Sequence, residues 1–366
     1  MNVMVHGRVR HVRTVDYDAA ENAVVLIEQR LLPHRFHRVR TRSYRETALA
    51  IRDMVVRGAG AIGATAAFGL AQGAREFRGS GLRAFSRHLN EVQEVLAAAR
   101  PTAVDPLNAL NEVRAALTHG RTVLERQDLA LQAACYFADR NVEECRSIGR
   151  VGAHLIRDGM TVLTHCNAGW LAFVDIGTAT APMYQARAEG RDFMVLCDET
   201  RPRCQGATLT AWELAQQGVR HAVISDNAAG ALMQQGRVDL VIVGTDRVLG
   251  RSGHVVNKIG TYTKAVLAHR HGVPFYVAAP ESTLDWTTED WRDIPIEERS
   301  PDEVLGAWGA VSGSRSRYVR IANPGSTALN PGFDVTPPEL VTGIITPTGI
   351  VKPSELRRFR KGSGRG

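Results

Sequence analysis

The sequence has few cysteines for its length and no long apolar run. Its 366 residues include five cysteines, and no two of them form a Cys-x-x-Cys pair. An odd number of cysteines in a long chain argues against a disulfide framework and for a reducing compartment. No stretch of about 18 apolar residues occurs, and the start MNVMVHGRVRHVRT lacks the apolar core of a signal peptide. These absences predict a cytoplasmic protein without a membrane span.

Several signatures of catalytic and cofactor sites are also missing. The chain contains no His-Glu-x-x-His motif, no Walker loop and no pattern typical of a Ser-His-Asp triad. Residues 56–69, VRGAGAIGATAAFG, have the spacing Gly-x-Gly-x-x-Gly, but they follow no predicted strand, so we reject a dinucleotide site. The spacing of the cysteines matches no zinc signature, which argues against a zinc site.

The chain carries a net charge of +7, most of it from arginine. Basic residues concentrate at 30–45 and in the final stretch RRFRKGSGRG. A nucleic-acid surface would interleave such charge with aromatic residues along one face, and the first cluster contains only Phe36 and Tyr44. We therefore expect no nucleic-acid partner, whereas a sugar phosphate would be attracted by a positive field.

The hydrophobic pattern divides the chain into two parts. The first has a few β-like pieces and then helical runs near 61–73, 83–99, 105–118 and 122–157. In the second, the apolar runs TVLTH, DFMVLCD, HAVISD, DLVIVGTD and PFYVAAP alternate with segments of helical length at 169–190, 206–218, 227–236 and 257–271. This alternation predicts a parallel sheet, which the later run VTGIIT would complete. We predict a mainly helical domain with a small sheet (1–145), an α/β domain (146–355) and a disordered basic tail (356–366).

Polar residues end most of the predicted strands. Carboxyl ends of parallel strands face one crevice, so we expect the following residues to converge: His165, Asp198, Asp226 and Asp246. Cys166 comes between a predicted strand and a predicted helix, where the positive helix end would favour the thiolate; the alternative is a buried structural cysteine. Asp246 is either a helix cap or an acid/base group.

Two segments are suited to holding an anion. Arg57 is followed by small residues that open a helix, and backbone N–H groups at such a helix start bind phosphate. Asn257 and Lys258 stand at another predicted helix start, where the lysine is either a phosphate clamp or ordinary surface charge. These residues point to a small phosphorylated substrate and proton-transfer chemistry, but they do not choose the reaction.

Several long blocks resemble the methylthioribose-1-phosphate isomerase family of aldose-1-phosphate isomerases, which is related to regulatory subunits of the initiation-factor exchange complex. The similarity spans nearly the whole chain. The blocks are AIRDMVVRGAGAIG, RPTAV, THCNAG, DETRPRCQGATLTAWEL, SDNAAGALMQQG, VDLVIVGTDRV, NKIGTYTKAVLAHRHGVPFYVAAP and NPGFDVTP.

The resemblance implies a reaction and a set of site residues. It implies conversion of a 5-substituted ribose 1-phosphate to the ribulose 1-phosphate without metal or organic cofactor, with Cys166 and Asp246 as catalytic residues. The implied phosphate and sugar contacts are Arg57, Gly58, Ala59, Arg100, Gln205, Asn257 and Lys258. It also implies a Rossmann-like second domain and a homodimer. We expect Asp246, kept protonated in a water-poor pocket, to protonate the ring oxygen and Cys166 to remove the proton from C2, although the two could exchange duties.

Departures from the family pattern leave the 5-substituent open. Gly60 stands where relatives commonly have proline, and Trp170 follows the cysteine motif where a small residue is common. Trp170 either lines a pocket for the 5-substituent or packs in the core. The expected substrate is 5-methylthioribose 1-phosphate, in methionine salvage. The alternatives are 5-deoxyribose 1-phosphate, ribose 1,5-bisphosphate, which would call for another cationic clamp, and a non-catalytic sugar-phosphate sensor, which would need neither Cys166 nor Asp246.

Overall fold

The computed structural model describes residues 1–5, 7–100, 104–311 and 315–357. These residues form two units. Unit 1 comprises residues 1–30, 36–143 and 170–177, and unit 2 comprises residues 31–35, 144–169 and those from 178 on. Most of the predicted basic tail, from residue 358, and Pro101–Ala103 of the RPTAV block lie outside the described residues.

Unit 1 is mainly helical, as predicted. Its strands are β1 (Asn2–Val5), β2 (Arg8–His11), β3 (Val15–Asp18), β4 (Ala23–Ile27) and β5 (Arg38–Thr41), and its helices are α1 (Tyr44–Arg52), α2 (Ala59–Glu76), α3 (Leu82–Ala98) and α4 (Val104–Leu117). Helix α5 (Val123–Gly152) begins in this unit and ends in the other. Strands β3, β4 and β5 form the small antiparallel sheet.

Helix α2 lies at the centre of unit 1. It is buried on nearly all sides because alanine and glycine occupy most of its length, and a helix that is apolar all round belongs in a core. A Cβ on Gly73 would lie 2.6 Å from Cγ1 of Val92, and one on Gly69 would lie 2.9 Å from Cδ2 of Leu96. The small residues of α2 therefore let α3 approach closely.

Unit 2 is built on a seven-stranded sheet and also has strands outside this sheet. The strands of the unit are β6 (Thr161–Thr164), β7 (Met194–Asp198), β8 (His221–Ile224), β9 (Leu240–Val243), β10 (Arg247–Leu249), β11 (Val255–Lys258), β12 (Phe275–Ala278), β13 (Leu284–Asp285), β14 (Gly306–Val311), β15 (Arg315–Arg320), β16 (Phe333–Thr336), β17 (Gly343–Thr346) and β18 (Gly349–Val351). Its helices are α6 (Ala181–Ala188), α7 (Ala211–Gln216), α8 (Ala228–Gln234), α9 (Thr261–His271) and α10 (Asp302–Leu305).

The order of strands in the large sheet is β18-β17-β12-β9-β6-β7-β8. All neighbours are parallel except β17 and β18. The predicted α/β fold class, the five predicted strands and the completing strand β17 are confirmed. The chain runs from β6 outward through β7 to β8 and then returns to β9 on the other side of β6. This reversal between β6 and β9 is a topological switch point, where open α/β sheets bind ligands.

One local prediction was wrong and another was only partly fulfilled. The segment 169–190 does contain a helix, α6 (Ala181–Ala188), which begins late because the Thr178 and Ala179 amides both donate to the Ala168 carbonyl. Asn257 and Lys258 end strand β11 rather than start a helix, since β11 pairs with both β10 and β16. Helix α9 begins after Gly260, where a φ of 102° turns the backbone out of the extended conformation of the strand.

Among the described residues, no helix combines the length and the apolar character needed to cross a membrane.

Candidate active site

Cys166 stands in a turn just beyond β6, with its backbone in the left-handed region at a φ of 67°. A residue other than glycine in this region carries strain of about 1 kcal/mol or more. Two hydroxyl groups hold the turn: the Cys166 amide donates to Oγ1 of Thr200 at 2.8 Å, and Oγ1 of Thr210 donates to the Cys166 carbonyl at 2.8 Å. The cysteine is therefore fixed from both sides of its backbone.

The expected helix start at Cys166 is absent, so the predicted stabilisation of its thiolate by a helix end was wrong. A 3₁₀ turn, Trp170–Ala172, is the next helical element of the chain. Instead, Nε2 of Gln205 donates to Sγ of Cys166 at 3.3 Å. A thiolate accepts such a bond more strongly than a thiol does.

Gln205 is buried, and only the nitrogen of its side-chain amide has a hydrogen-bond partner among the described residues. It is 6% exposed, and its Oε1 has no hydrogen-bond partner among the described residues. It immediately precedes a π-helical turn, Gly206–Thr210, a geometry that occurs frequently at functional sites. One amide group thus contacts the sulfur and offers an unused acceptor beside it.

Asp246 follows β9, the strand next to β6. It is half-buried, and its amide donates to the Val256 carbonyl at 3.0 Å. In the pairing of β10 with β11, Arg247, the residue after Asp246, lies opposite Val256, the residue before Asn257. The structure therefore brings together Asp246 and the segment of Asn257 and Lys258.

The turns after β6 and β9 also touch each other. A Cβ on Gly244 would lie 2.3 Å from Cβ of Ala168, so the absence of a side chain at Gly244 allows the contact. Cys166 and Asp246 therefore leave neighbouring parallel strands and lie in or beside turns that pack together, at the switch point of the sheet.

Asn257 and Lys258 are both held by other residues of unit 2. Asn257 is 5% exposed, and its Nδ2 donates to Oγ1 of Thr261 at 3.0 Å. Nζ of Lys258 donates to the Gly332 carbonyl at 2.8 Å and lies 4.6 Å from the centre of the Phe333 ring. The block NPGFDVTP thus supports the lysine.

The polar strand ends converge as expected for three of the four residues. Nδ1 of His165 lies 2.9 Å from Oδ2 of Asp198, and ligand atoms of His165, Asp198 and Asp226 all lie within 4.8 Å of one another. This group could hold a metal ion by residue type, but Nζ of Lys264 already lies 3.1 Å from Oδ2 of Asp198. The two carboxylate oxygens of Asp226 accept bonds from the Thr200 and Arg201 amides. An ammonium and backbone amides thus take the contacts that a cation would need.

Some residues of this site were missed by the sequence reasoning, namely Thr200, Thr210, Lys264 and Asp334. For one of them, Lys264, the sequence composition contained a signal. The chain has four lysines among its 45 lysine and arginine residues, and Lys258 and Lys264 are two of these. In so arginine-rich a chain, a lysine marks a position that needs a compact ammonium group.

Two cysteines near this site carry thiols that ionise with difficulty. Burial and the negative charges of Asp198 and Glu213 raise the pKa of Cys197 far above its ordinary value. Burial also raises the pKa of Cys204, although a hydrogen bond from Arg201 opposes the rise. Neither thiol is suited to act as the nucleophile or base.

Three of the four anion-binding candidates of unit 1, Arg57, Gly58 and Ala59, lie at the start of α2. Gly58 is the N-cap and has no side chain to cover the first amides of the helix, which Ala59 begins. Its φ is 94°, and a Cβ would lie 2.4 Å from Cα of Ala172, so this position requires glycine. Arg57 immediately precedes it, and Arg100 follows α3.

Trp170, the candidate for a 5-substituent pocket, is completely buried in unit 1. Its carbonyl accepts a hydrogen bond from Oγ1 of Thr14 at 2.7 Å. This environment favours the interpretation of Trp170 as a core residue.

Comparison with known proteins supplies the family. The model of the Initiation factor 2 subunit family matches residues 55–353. Methylthioribose-1-phosphate isomerase of Rhizobium meliloti (strain 1021) is 48% identical over 357 residues, which cover 94% of this chain and 95% of that protein. The chain belongs to this family.

Solved structures of the family agree with the fold. The crystal structure of 5-methylthioribose 1-phosphate isomerase from Pyrococcus horikoshii OT3 is 42% identical, covers 98% of this chain and 97% of its own, and has a TM-score of 0.85. A structure from A. fulgidus described as translation initiation factor eIF-2B, subunit delta, is 40% identical, with coverages of 94% and 97% and a TM-score of 0.81. The sequence-based identification of an isomerase of the methylthioribose-1-phosphate isomerase family is confirmed.

Proposed function

We propose that this protein converts 5-methylthio-D-ribose 1-phosphate to 5-methylthio-D-ribulose 1-phosphate. The observation that carries the proposal is the departure of Cys166 and Asp246 from the neighbouring parallel strands β6 and β9 at the switch point of the sheet. A thiol and a carboxyl group at one edge supply the two proton-transfer groups that the reaction needs.

The chemistry follows from the phosphate on the anomeric oxygen, which prevents the sugar ring from opening by itself. Asp246 donates a proton to the ring oxygen, and the bond between this oxygen and C1 breaks. Cys166, as thiolate, removes the proton from C2, so that an enol phosphate forms. The Cys166 thiol then returns this proton to C1, while the hydroxyl proton on C2 passes to Asp246 and the ketone forms. Both groups end in their starting protonation states.

The other polar groups have roles in binding. The buried Oε1 of Gln205 is an acceptor suited to a sugar hydroxyl, and the Gln205 amide stabilises the thiolate of Cys166. Asn257 and Lys258, next to Asp246 through the pairing of β10 and β11, are assigned to the sugar phosphate. Arg57, Gly58, Ala59 and Arg100 are assigned to phosphate binding on the chemistry of an uncapped helix start.

The test is turnover by purified protein together with the variants Cys166→Ser and Asp246→Asn. Each variant should lower kcat by about 10²-fold or more, because each removes one general acid or base. Cys197→Ser is a matched control, since its buried thiol has no part in the chemistry. Wild-type rates in both catalytic variants would refute the mechanism, and no turnover by the wild type would favour a sugar-phosphate sensor.

The substrate assignment is tested by kcat/KM for three sugar 1-phosphates, with 5-methylthio, 5-deoxy and 5-phosphate groups. A preference for methylthio over deoxy of about ten- to a hundredfold is expected, because a hydrophobic pocket discriminates only modestly against a missing group. An equal or higher value for the deoxy substrate would overturn the assignment. We also propose a homodimer, which light scattering on the purified protein tests.

A further inference from the structure

A buried cluster of charged side chains lies at the carboxyl edge of the large sheet, beginning with the residue before Cys166. We define the His165 cluster as His165, after β6; Asp198, the last residue of β7; Lys264, in α9; and Asp334, in β16. Oδ2 of Asp198 lies 2.9 Å from Nδ1 of His165 and 3.1 Å from Nζ of Lys264. His165, Asp198 and Lys264 are 1%, 0% and 2% exposed. Such burial is unusual for charged groups unless they are paired.

Both ring nitrogens of His165 face acceptors. Nδ1 meets the carboxylate of Asp198, and Nε2 lies 2.9 Å from the Ile259 carbonyl. Neither acceptor can donate, so both contacts are hydrogen bonds only if both nitrogens carry a hydrogen. The geometry therefore calls for an imidazolium ring.

Opposite charges meet in the cluster. Lys264 lies against Asp198, and the carboxylate of Asp226, held by two backbone amides, lies within 4.8 Å of the ligand atoms of His165 and Asp198. Burial raises the pKa of Asp334, while the amides of Gly260 and Tyr262 and the positive charges of His165 and Lys264 oppose the rise. The amides donate to the two Asp334 oxygens at 2.7 and 3.1 Å. Each carboxylate of the group thus meets a donor, as a dry interior requires of a buried charge.

The cluster joins the two segments that carry the active-site groups. His165 is bonded to Cys166 in the chain, and Ile259, whose carbonyl it contacts, is bonded to Lys258. A Cβ on Gly260 would lie 2.9 Å from Cε1 of His165, so the loop before α9 packs directly on the ring. The ring therefore links the Cys166 turn to the segment of Asn257 and Lys258.

We propose that the His165 cluster is a positioning device in which His165, held at its two ring nitrogens by Asp198 and the Ile259 carbonyl, fixes the Cys166 turn against the Asn257–Lys258 segment, while Lys264 pairs with Asp198. The expected effect of the cluster on turnover rests on the proposed function. The expected effects on the alkylation rate of Cys166 and on the hydrogens of the His165 ring do not depend on that function.

The experiment compares Asp198→Asn, Lys264→Met and the double variant. Each single change leaves one member of the buried Asp198–Lys264 pair without its charged partner, so both should lower the Tm. The double change removes both charges of the pair, and its Tm should recover toward the wild-type value. Three quantities are measured on each protein: the Tm, the rate of Cys166 alkylation by iodoacetamide read peptide by peptide in a mass spectrometer, and kcat. Glu112→Gln, which breaks the 2.6 Å pair of Glu112 and Arg140 in unit 1, is the control.

If the cluster positions the thiol, the double variant regains its Tm but keeps kcat and the alkylation rate lowered by about tenfold or more, since His165 has lost its ionic anchor. If the cluster serves only stability, the double variant with a recovered Tm has wild-type rates, and the proposal is overturned. The control should have wild-type rates in either case.

A second measurement decides the question if the variants do not fold. In wild-type protein labelled with ¹⁵N-histidine, both His165 nitrogens should carry a hydrogen at the pH of the activity assay, because each faces an acceptor. The signal is assigned by its loss in His165→Gln. A His165 ring nitrogen without a hydrogen would refute the proposal. Because this readout and the alkylation rate need no substrate, a failure of the isomerase proposal remains distinguishable from a failure of the cluster proposal.

Discussion

Replacing Thr200 by valine tests whether the backbone of Cys166 needs its hydroxyl anchor. Thr200 is completely buried, and valine has nearly the same shape. Oγ1 of Thr200 accepts from the Cys166 amide at 2.8 Å and donates to the Asp198 carbonyl at 3.0 Å. The substitution removes both bonds and leaves the Cys166 amide without its acceptor.

The magnitude follows from these contacts. Two hydrogen bonds lost at about 1 kcal/mol each, with the higher cost of a buried amide left unpaired, give a loss of about 2–3 kcal/mol in the free energy of unfolding. The left-handed backbone of Cys166 carries strain of about 1 kcal/mol, which the anchor offsets. If the turn releases this strain of about 1 kcal/mol by changing conformation, the fraction of molecules with the thiol in place falls about five- to tenfold.

The assay combines urea unfolding with kcat/KM and the alkylation rate of Cys166. Thr283→Val is the matched control, because Thr283 is also buried and its hydroxyl donates at 2.9 Å to the carbonyl of Pro280, a residue outside the Cys166 turn. Both variants should be less stable, but only Thr200→Val should lose about five- to tenfold in kcat/KM and in alkylation rate. Wild-type rates in Thr200→Val, at a stability loss like that of the control, would refute the reasoning.

Three further outcomes are expected. Gly60→Ala should lower the free energy of unfolding by about 1–3 kcal/mol, because a Cβ there would lie 2.4 Å from Cδ1 of Phe173; adding Phe173→Leu should recover part of the loss, and no recovery would contradict this contact. Gly169→Ala should be poorly folded or inactive, since a Cβ would lie 1.8 Å from Oε2 of the buried Glu213; a fully active variant would be inconsistent with the packing. Hydrogen bonds and charge from Arg299 outweigh burial and hold the pKa of Glu303 at about 2, below its ordinary 4.5. The stabilisation by ionised Glu303 is therefore complete above pH 4.5 and lost toward pH 2, so the stability difference between wild type and Glu303→Gln should shrink over this range in acid unfolding curves, and a constant difference would count against it.

The departure at Gly60 has a structural reason. Phe173 and Asn141 occupy the space that a larger residue would need: a Cβ would lie 2.6 Å from Nδ2 of Asn141. The unusual glycine is thus coupled to the packing of residues 170–177 in unit 1.

The large elements could be predicted because their signal is local. The apolar runs that became β6, β7, β9 and β12 are mostly buried on both faces, so their composition alone distinguishes them from the helical segments between them, and the edge strand β8 has the same kind of apolar run. The convergence of His165 and Asp198 followed from the rule that parallel strands end at one edge.

The sequence by itself determined the fold class, the strands of the parallel sheet and the residue types at their ends, since hydrophobic periodicity and chain order are written along the chain. Only the tertiary structure decided how those residues are held. Asn257 and Lys258 lie in a strand because β16 pairs with them, and the environment of Cys166 is made by Thr200, Gln205 and Thr210, more than 30 residues away. Lys264 is buried beside Asp198, which also contacts His165. Contacts between distant residues depend on packing in three dimensions, which leaves no periodic trace in a single sequence.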